Sequence, residues 1–188
     1  SSNMDLSTKS ILINDVITFI RVATNKPELL ILESAIKKGQ VIVNLKLNFD
    51  ENGKIKKDYS ISGILKDGKI GLTNIYNFEK INFLFNIVGD VFNFTDITFD
   101  TNKISFLSET LNIKKNKNNY LFKGNLRNKN SLLNDEMFKI IKSKYPQFDL
   151  INTNFETDND FSFSINNKFK VKNLAINSNI LIDRSQLK

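Results

Sequence analysis

At 188 residues, 40% of them apolar, the chain is long enough for one domain with a core, and its lack of any run near ~18 uninterrupted apolar positions excludes a helical membrane span within it. Cysteine and histidine are both absent, which excludes disulfides, thiolate or imidazole metal sites, cysteine nucleophiles and histidine-based triads, and turns the reading away from an enzyme or any cofactor. The net charge of +7 rests on 24 lysines against 3 arginines, beside 28 asparagines and 3 alanines, as codon bias in an AT-rich genome produces; it reads as a solvated surface, without nucleic-acid recognition, for which arginine is the favoured residue.

Residues 1–38 read as an N-terminal helical, capping part. Ser1 to Lys9 are polar and expected to be ragged. From Ile11 to Ala23 the positions Val16, Phe19, Ile20 and Ala23 keep helical spacing behind Asn14-Asp15, although the β-branched content also allows a strand. A second helix is expected from Pro27 to Lys38. Pro27 and Glu28 suit its first turn, Lys37 and Lys38 complement its dipole, and Gly39 would take a left-handed cap.

Residues 39–130 form the first sheet portion. After Gly39 the period becomes two: Val41, Val43, Leu45, Leu47 and Phe49 make an apolar face, and Asp50-Glu51-Asn52-Gly53 turns the chain. Tyr59, Ile61, Gly63 and Leu65 share a face of the partner strand, Asp67-Gly68 is expected to turn again, and Ile70 begins a short strand. Ile81, Phe83, Phe85 and Ile87 alternate, with Leu84 and Val88 on the other side, so that cover is expected on both faces. Phe92, Phe94, Ile97 and Phe99 follow, then short strands at Ile104-Ser105-Phe106 and Leu111-Asn112-Ile113. Turn signals every eight to twelve residues point to an antiparallel meander.

A third helix is expected over 131–145, capped by Ser131 or Asn134, carried by Leu133, Met137, Ile140 and Ile141, and stopped by Pro146. Residues 146–188 return to strands through Phe161, Phe163 and Ile165, Phe169 to Val171, Leu174 to Ile176 and Ile180 to Ile182. The last residues still read as a strand and no initiator Met is present, so the whole reads as a single β segment cut from a longer chain.

An internal repeat organises these pieces. Tyr59-Ser60-Ile61-Ser62-Gly63-Ile64-Leu65-Lys66 returns 61 residues later, without a gap, as Tyr120-Leu121-Phe122-Lys123-Gly124-Asn125-Leu126-Arg127. Fixed-offset self-similarity marks a repeated supersecondary unit. Gly63 and Gly124 in mid-strand predict bend points in equivalent strands, with Tyr59 and Tyr120 facing the same way.

Candidate chemistry is sparse. Glu156, Asp158 and Asp160 alternate, but lack the calcium-loop spacing and read as a solvated acidic stretch. Gly63, Gly68 and Gly71 are not followed by the helix a phosphate loop needs. What remains is the apolar face with its sixteen Phe and no Trp, read either as a closed core or as the lining of a groove for acyl chains.

The helix end Ala35-Ile36-Lys37-Lys38-Gly39, the strand Val41 to Phe49, the turn Asn52-Gly53 and the pattern Tyr-x-Ile-x-Gly-x-Leu-x-Asp-Gly at 59–68, echoed at 120–126, resemble the AsmA-like proteins of Gram-negative envelopes over about Pro27 to Ile182. The resemblance implies a mainly β fold, a curved antiparallel meander forming an open β-groove with two or three covering helices. It implies a periplasmic location, anchoring in the inner membrane through other parts of the parent chain, a phospholipid or other acyl-chain ligand, envelope protein partners, and no catalysis. The residues expected to line the groove are Val43, Leu45, Leu47, Ile61, Phe83, Phe85, Phe122 and Phe163. The competing reading is a structural or protein-interaction β domain with a closed core and no lipid.

Overall fold

The period-two alternation that dominates the sequence folds as one ten-stranded antiparallel sheet. The computed structural model describes residues 2–24, 29–54, 56, 58–71, 77–117, 119–133, 139, 142–143, 150–151, 153–166, 168, 170–183 and 186–187. In chain order the elements are β1 (Ser2–Ser7), β2 (Ile11–Leu12), α1 (Ile13–Thr24), α2 (Leu29–Ala35), β3 (Ile36–Phe49), β4 (Ser60–Gly71), β5 (Asn77–Val88) and β6 (Val91–Thr101). There follow β7 (Ile104–Asn116), β8 (Asn119–Leu132), β9 (Leu150–Ile151), β10 (Asn154–Asn166), β11 (Val171–Asp183) and β12 (Gln186–Leu187).

The sheet order is β1-β3-β4-β5-β6-β7-β8-β10-β11, with β2 beside β3; β9 and β12 form a separate two-stranded sheet. From β3 to β8 each strand pairs with its neighbours in the chain, so the expected meander is what the chain builds, and it stays open instead of closing into a barrel.

The strands are far longer than the usual five or six residues because turn-like dipeptides are absorbed as bulges. Asp67-Gly68, expected to turn the chain, lies inside β4: Asp67 takes a φ of 51° and its N–H donates to Asn82 Oδ1 at 3.1 Å. Lys80 in β5 and Asp96 in β6 are also left-handed, with φ of 51° and 52°, and the β4–β5 and β5–β6 registers shift around them. The two short strands expected at 104–106 and 111–113 are one strand, β7, and those at 174–176 and 180–182 are both β11.

Other expectations need correction. Ser2–Ser7 is not ragged; it adds to β3 with Leu6 opposite Leu45 and Met4 opposite Leu47, where its backbone groups find partners. The second helix ends at Ala35, since Ile36 to Lys38 already belong to β3 and Ile36 is buried opposite Ile70. Gly39 is no helix cap. It sits at a β3 bulge with φ 154°, and a Cβ there would lie 3.1 Å from Ile13 Cγ2 and 3.3 Å from Leu65 Cδ1, so the missing side chain lets α1 close on the sheet. In the 50–53 turn only Gly53 has positive φ (75°); the turn is organised by Asp50, whose carboxylate accepts from the amides of Asn52 and Lys54 at 2.9 Å each. Leu84 and Val88 are not covered but 41% and 44% exposed. Of the expected 131–145 helix, Ser131 and Leu132 extend β8 and Lys139, Lys142 and Ser143 are helical. Its remaining positions apart from Leu133, like Pro27, Glu28 and Phe169, lie outside the described residues.

The core sits at one end of the sheet. Val41, Leu65 and Ile81 are buried together, and Ile13 and Val16 of α1 pack on them with Phe78, Phe83, Phe85 and Phe99. Helix α1 is held to α2 by Glu33, which accepts from the Thr18 hydroxyl at 2.6 Å and from Arg21 Nε at 2.8 Å.

Candidate functional site

Opposed residues in an antiparallel pair share a face, so the registers trace the surface across the sheet. One row runs Val43, Gly63, Phe85, Phe94 from β3 to β6 and continues Leu111, Gly124, Phe161, Ile176 from β7 to β11. The next row runs Leu45, Ile61, Ile87, Phe92 and continues Ile113, Phe122, Phe163. Neither contains a polar side chain. One position along, the opposite face carries Asn44, Ser62, Asn86 and Asn93, then Asn112, Lys123 and Ser162. Along these rows the sheet is apolar on one side and polar on the other, and the second face also carries the opposed trio Ile42, Ile64 and Leu84.

All eight residues expected to line a groove fall on the apolar face, but in two environments. Val43, Phe83 and Phe85 pack against the core that α1 covers. Phe83 meets Phe85 and Phe94 edge to face, with ring centroids 6.2 and 5.4 Å apart. Leu45, Leu47 and Ile61 share the face along β3 and β4, outside that cluster. Phe122 and Phe163 lie directly opposite one another in the farther half and stack with centroids 4.7 Å apart and planes 7° from parallel. Beside them is an apolar depression of about 300 Å³ lined by Phe92, Ile113, Tyr120, Phe122 and Ile165. Apart from Phe122 those residues are not among the eight expected to line a groove, although each stands at an apolar position of the alternating pattern.

The two mid-strand glycines occupy equivalent places. Gly63 in β4 faces Phe85 of β5, and Gly124 in β8 faces Phe161 of β10. A Cβ on Gly63 would stand 2.6 Å from Phe85 Cζ and 2.1 Å from the Ile42 carbonyl oxygen, and one on Gly124 3.1 Å from Phe161 Cζ. The rings fill the space the glycines leave, which keeps the first row continuous past both of them. Tyr120 lies on the apolar face opposite Ile165, while Tyr59 precedes β4.

Polar side chains repair the backbone where the bulges open it. Asn82 accepts from Asp67 N and donates to the Lys80 carbonyl at 2.7 Å. Asn125, 8% exposed, accepts from Ser108 Oγ and from the amides of Glu109 and Thr110 at 2.8–3.3 Å. Asn128, 1% exposed, donates to the Phe155 carbonyl and accepts from the Thr157 hydroxyl, at the β10 bulge between Phe155 and Thr157.

On the polar face a larger depression of about 550 Å³ is lined by residues including Thr110, Asn112, Lys123, Asp160 and Asn177. Its charged side chains are exposed, and the buried polar side chain in its lining, Asn125, is engaged through its Oδ1 by Ser108 and by the amides of Glu109 and Thr110. Glu156, Asp158 and Asp160 lie on that face, and Asp158 is committed to Arg127, whose Nε donates to it at 2.8 Å while Nη1 donates to Glu109. The hydrogen bond to Asp158, with the charges of Asp158 and Glu109, raises the Arg127 pKa. Among the described residues no group of three or more acidic side chains could hold a metal ion, and no helix is long and apolar enough to cross a membrane.

Compared with known protein families, with curated proteins and with solved structures, the chain matches none of them.

Proposed function

We propose that the farther half of the apolar face, around Phe122 and Phe163, binds the acyl chains of a phospholipid or similar lipid without catalysis. On this reading the chain is a segment of the AsmA-like kind that its strand and glycine pattern resembles, acting in the periplasm between inner and outer membranes, with the membrane reached through the parent chain. The observation that supports it is the pair of unbroken apolar rows across the open sheet, covered by a helix at one end. The longer row spans seven strand spacings of ~4.8 Å, roughly 34 Å, of which the four from β6 to β11 in the farther half make a lining roughly 19 Å long. Each methylene moved from water onto such a lining gains about 0.8 kcal/mol, so a chain of about sixteen carbons gains on the order of 10 kcal/mol before its ordering cost.

Native mass spectrometry and lipid extraction of gently purified protein test this. Co-purifying phospholipid that is lost on Phe122→Asp, with the circular dichroism of the sheet retained, is the expected result. A protein that carries no lipid and whose two sheet faces are equally protected from hydrogen exchange is instead the closed-core interaction domain. That second reading draws on the exposed apolar side chains of β11, among them Leu174 at 60% and Ile182 at 57%.

A further inference from the structure

Among the described residues, the last strand of the main sheet has an edge without the usual protection. Edge strands are normally kept short, charged, kinked or covered, because their free N–H and C=O groups template pairing with another chain. The β1 edge follows that rule with six residues and Asp5. β11 spans thirteen residues, every position from Val171 to Ile182 is exposed, and from Asn173 to Ile182 it contains neither a charge nor a proline.

Its sequence is also a near-palindrome centred on Ser178. Asn177 and Asn179 flank the centre, then Ile176 and Ile180, then Ala175 and Leu181, then Leu174 and Ile182. An isologous two-fold interface requires this kind of self-complementarity, since residue i meets j and j meets i. We propose that β11 pairs antiparallel with β11 of a second copy, about a two-fold axis through Ser178.

The register follows. Ile176 lies opposite Ile180 of the partner subunit, Asn177 opposite the partner's Asn179, and Leu174 opposite the partner's Ile182. Because Ile176 faces Phe161 and Ile180 faces Thr157 across the β10 pairing, both isoleucines are on the apolar side. The two copies therefore join with their apolar faces on one side, as a single wider sheet. In a chain of net charge +7, a charge-free stretch is also where two copies approach with least repulsion. The pairing stops where the symmetry does, at the left-handed Asn173 (φ 53°) and beyond it at Lys172, which in sequence would meet Arg184 of the partner subunit.

The absence of cysteine makes the test clean. Opposed residues in an antiparallel pair have Cα atoms about 4.5–5.5 Å apart, within disulfide reach, so S178C should cross-link to itself on oxidation. L174C should cross-link only when mixed with I182C. Sedimentation should give twice the 21.6 kDa chain mass for the native protein. N177K/N179K sets like charges opposite each other and should weaken the dimer by about tenfold or more, whereas N177K/N179D sets opposite charges together and should keep it. The proposal is overturned by a monomer across the micromolar range, by growth beyond a dimer, by self-cross-linking of L174C as efficient as that of S178C, or by equal dissociation of the two double variants. A monomer whose β11 amides resist exchange would mean that another part of the chain covers the edge. None of these outcomes depends on lipid, so the pairing and the lipid reading fail separately.

Discussion

The ring of Phe85 lies over Gly63 in the neighbouring strand, its Cζ 2.6 Å from where a Cβ would stand, and Phe161 covers Gly124 in the same way. Both glycines are kept by a neighbouring carbonyl oxygen, of Ile42 beside Gly63 and of Thr110 beside Gly124, together with the aromatic across from them. Gly63→Ala is expected to cost about 1–3 kcal/mol by over-packing, because the added methyl also meets the immovable Ile42 carbonyl oxygen. Gly124→Ala, with contacts at 2.8 Å and beyond, should cost less. Urea unfolding of both variants measures the order, and an equal or reversed cost would contradict this account.

Asn128 is a second point of sensitivity. Asn128→Ala leaves the Phe155 carbonyl and the Thr157 hydroxyl without their partner in a site 1% exposed, a loss expected at about 1–3 kcal/mol. Asn86→Ala, on the exposed polar face, should stay within roughly 0.5 kcal/mol of the native protein. Thermal unfolding of the pair tells a bulge-repairing asparagine from a surface one.

Glu33 ties the contact of α1 with α2 to pH. The Thr18 hydroxyl first, and then the Arg21 guanidinium, hold its carboxyl below the ordinary value of 4.5. A depressed carboxyl pKa contributes stability above that ordinary value, and the contribution is lost as the pH falls through the folded-state pKa. Melting temperatures of the native protein and E33Q should therefore differ by a constant amount near neutrality and converge on acidification below 4.5. A difference that persists at low pH would assign the effect to packing.

The two halves of the apolar face should answer differently to the same substitution. Phe83→Asp places a carboxylate against the Val41, Leu65 and Ile81 core and is expected to unfold the domain. Phe122→Asp breaks one stacked pair beside an open depression and should leave the strand signal in place. Circular dichroism and exchange at β4 and β5 distinguish the two; unfolding by both would make the whole face a core.

Much of the bulge geometry was written in the spacing. Phe92, Phe94, Ile97 and Phe99 stay on one face only if an extra residue is absorbed between Phe94 and Ile97, and Asp96 absorbs it. Leu65 to Gly68 and Phe78 to Ile81 carry the same extra residue at Asp67 and Lys80. Asp67-Gly68 was nonetheless expected to be a turn, because turns and bulges use the same left-handed residues and only the pairing across the strand separates them. Ile36 to Gly39 misled for a related reason: a basic stretch ending in glycine suits a helix terminus, while burial of Ile36 against Ile70 favours the strand. The asparagines that repair the backbone could not be picked out, since nothing local distinguishes Asn82, Asn125 or Asn128 among 28. That the eight residues expected to line a groove share one face was legible because parity alone places them. Which part of that face is covered depends on where α1 docks, and that rests on a distant contact at Gly39.

From β3 to β8 the sheet grows by adding each strand to the one just made. Its width is therefore modular: every further hairpin widens it by two spacings, roughly 9.6 Å, while preserving the parity that separates the apolar side from the polar one. Duplication or deletion of a hairpin within this stretch would lengthen or shorten the apolar face in fixed steps, as rungs lengthen a ladder, without redesigning either end.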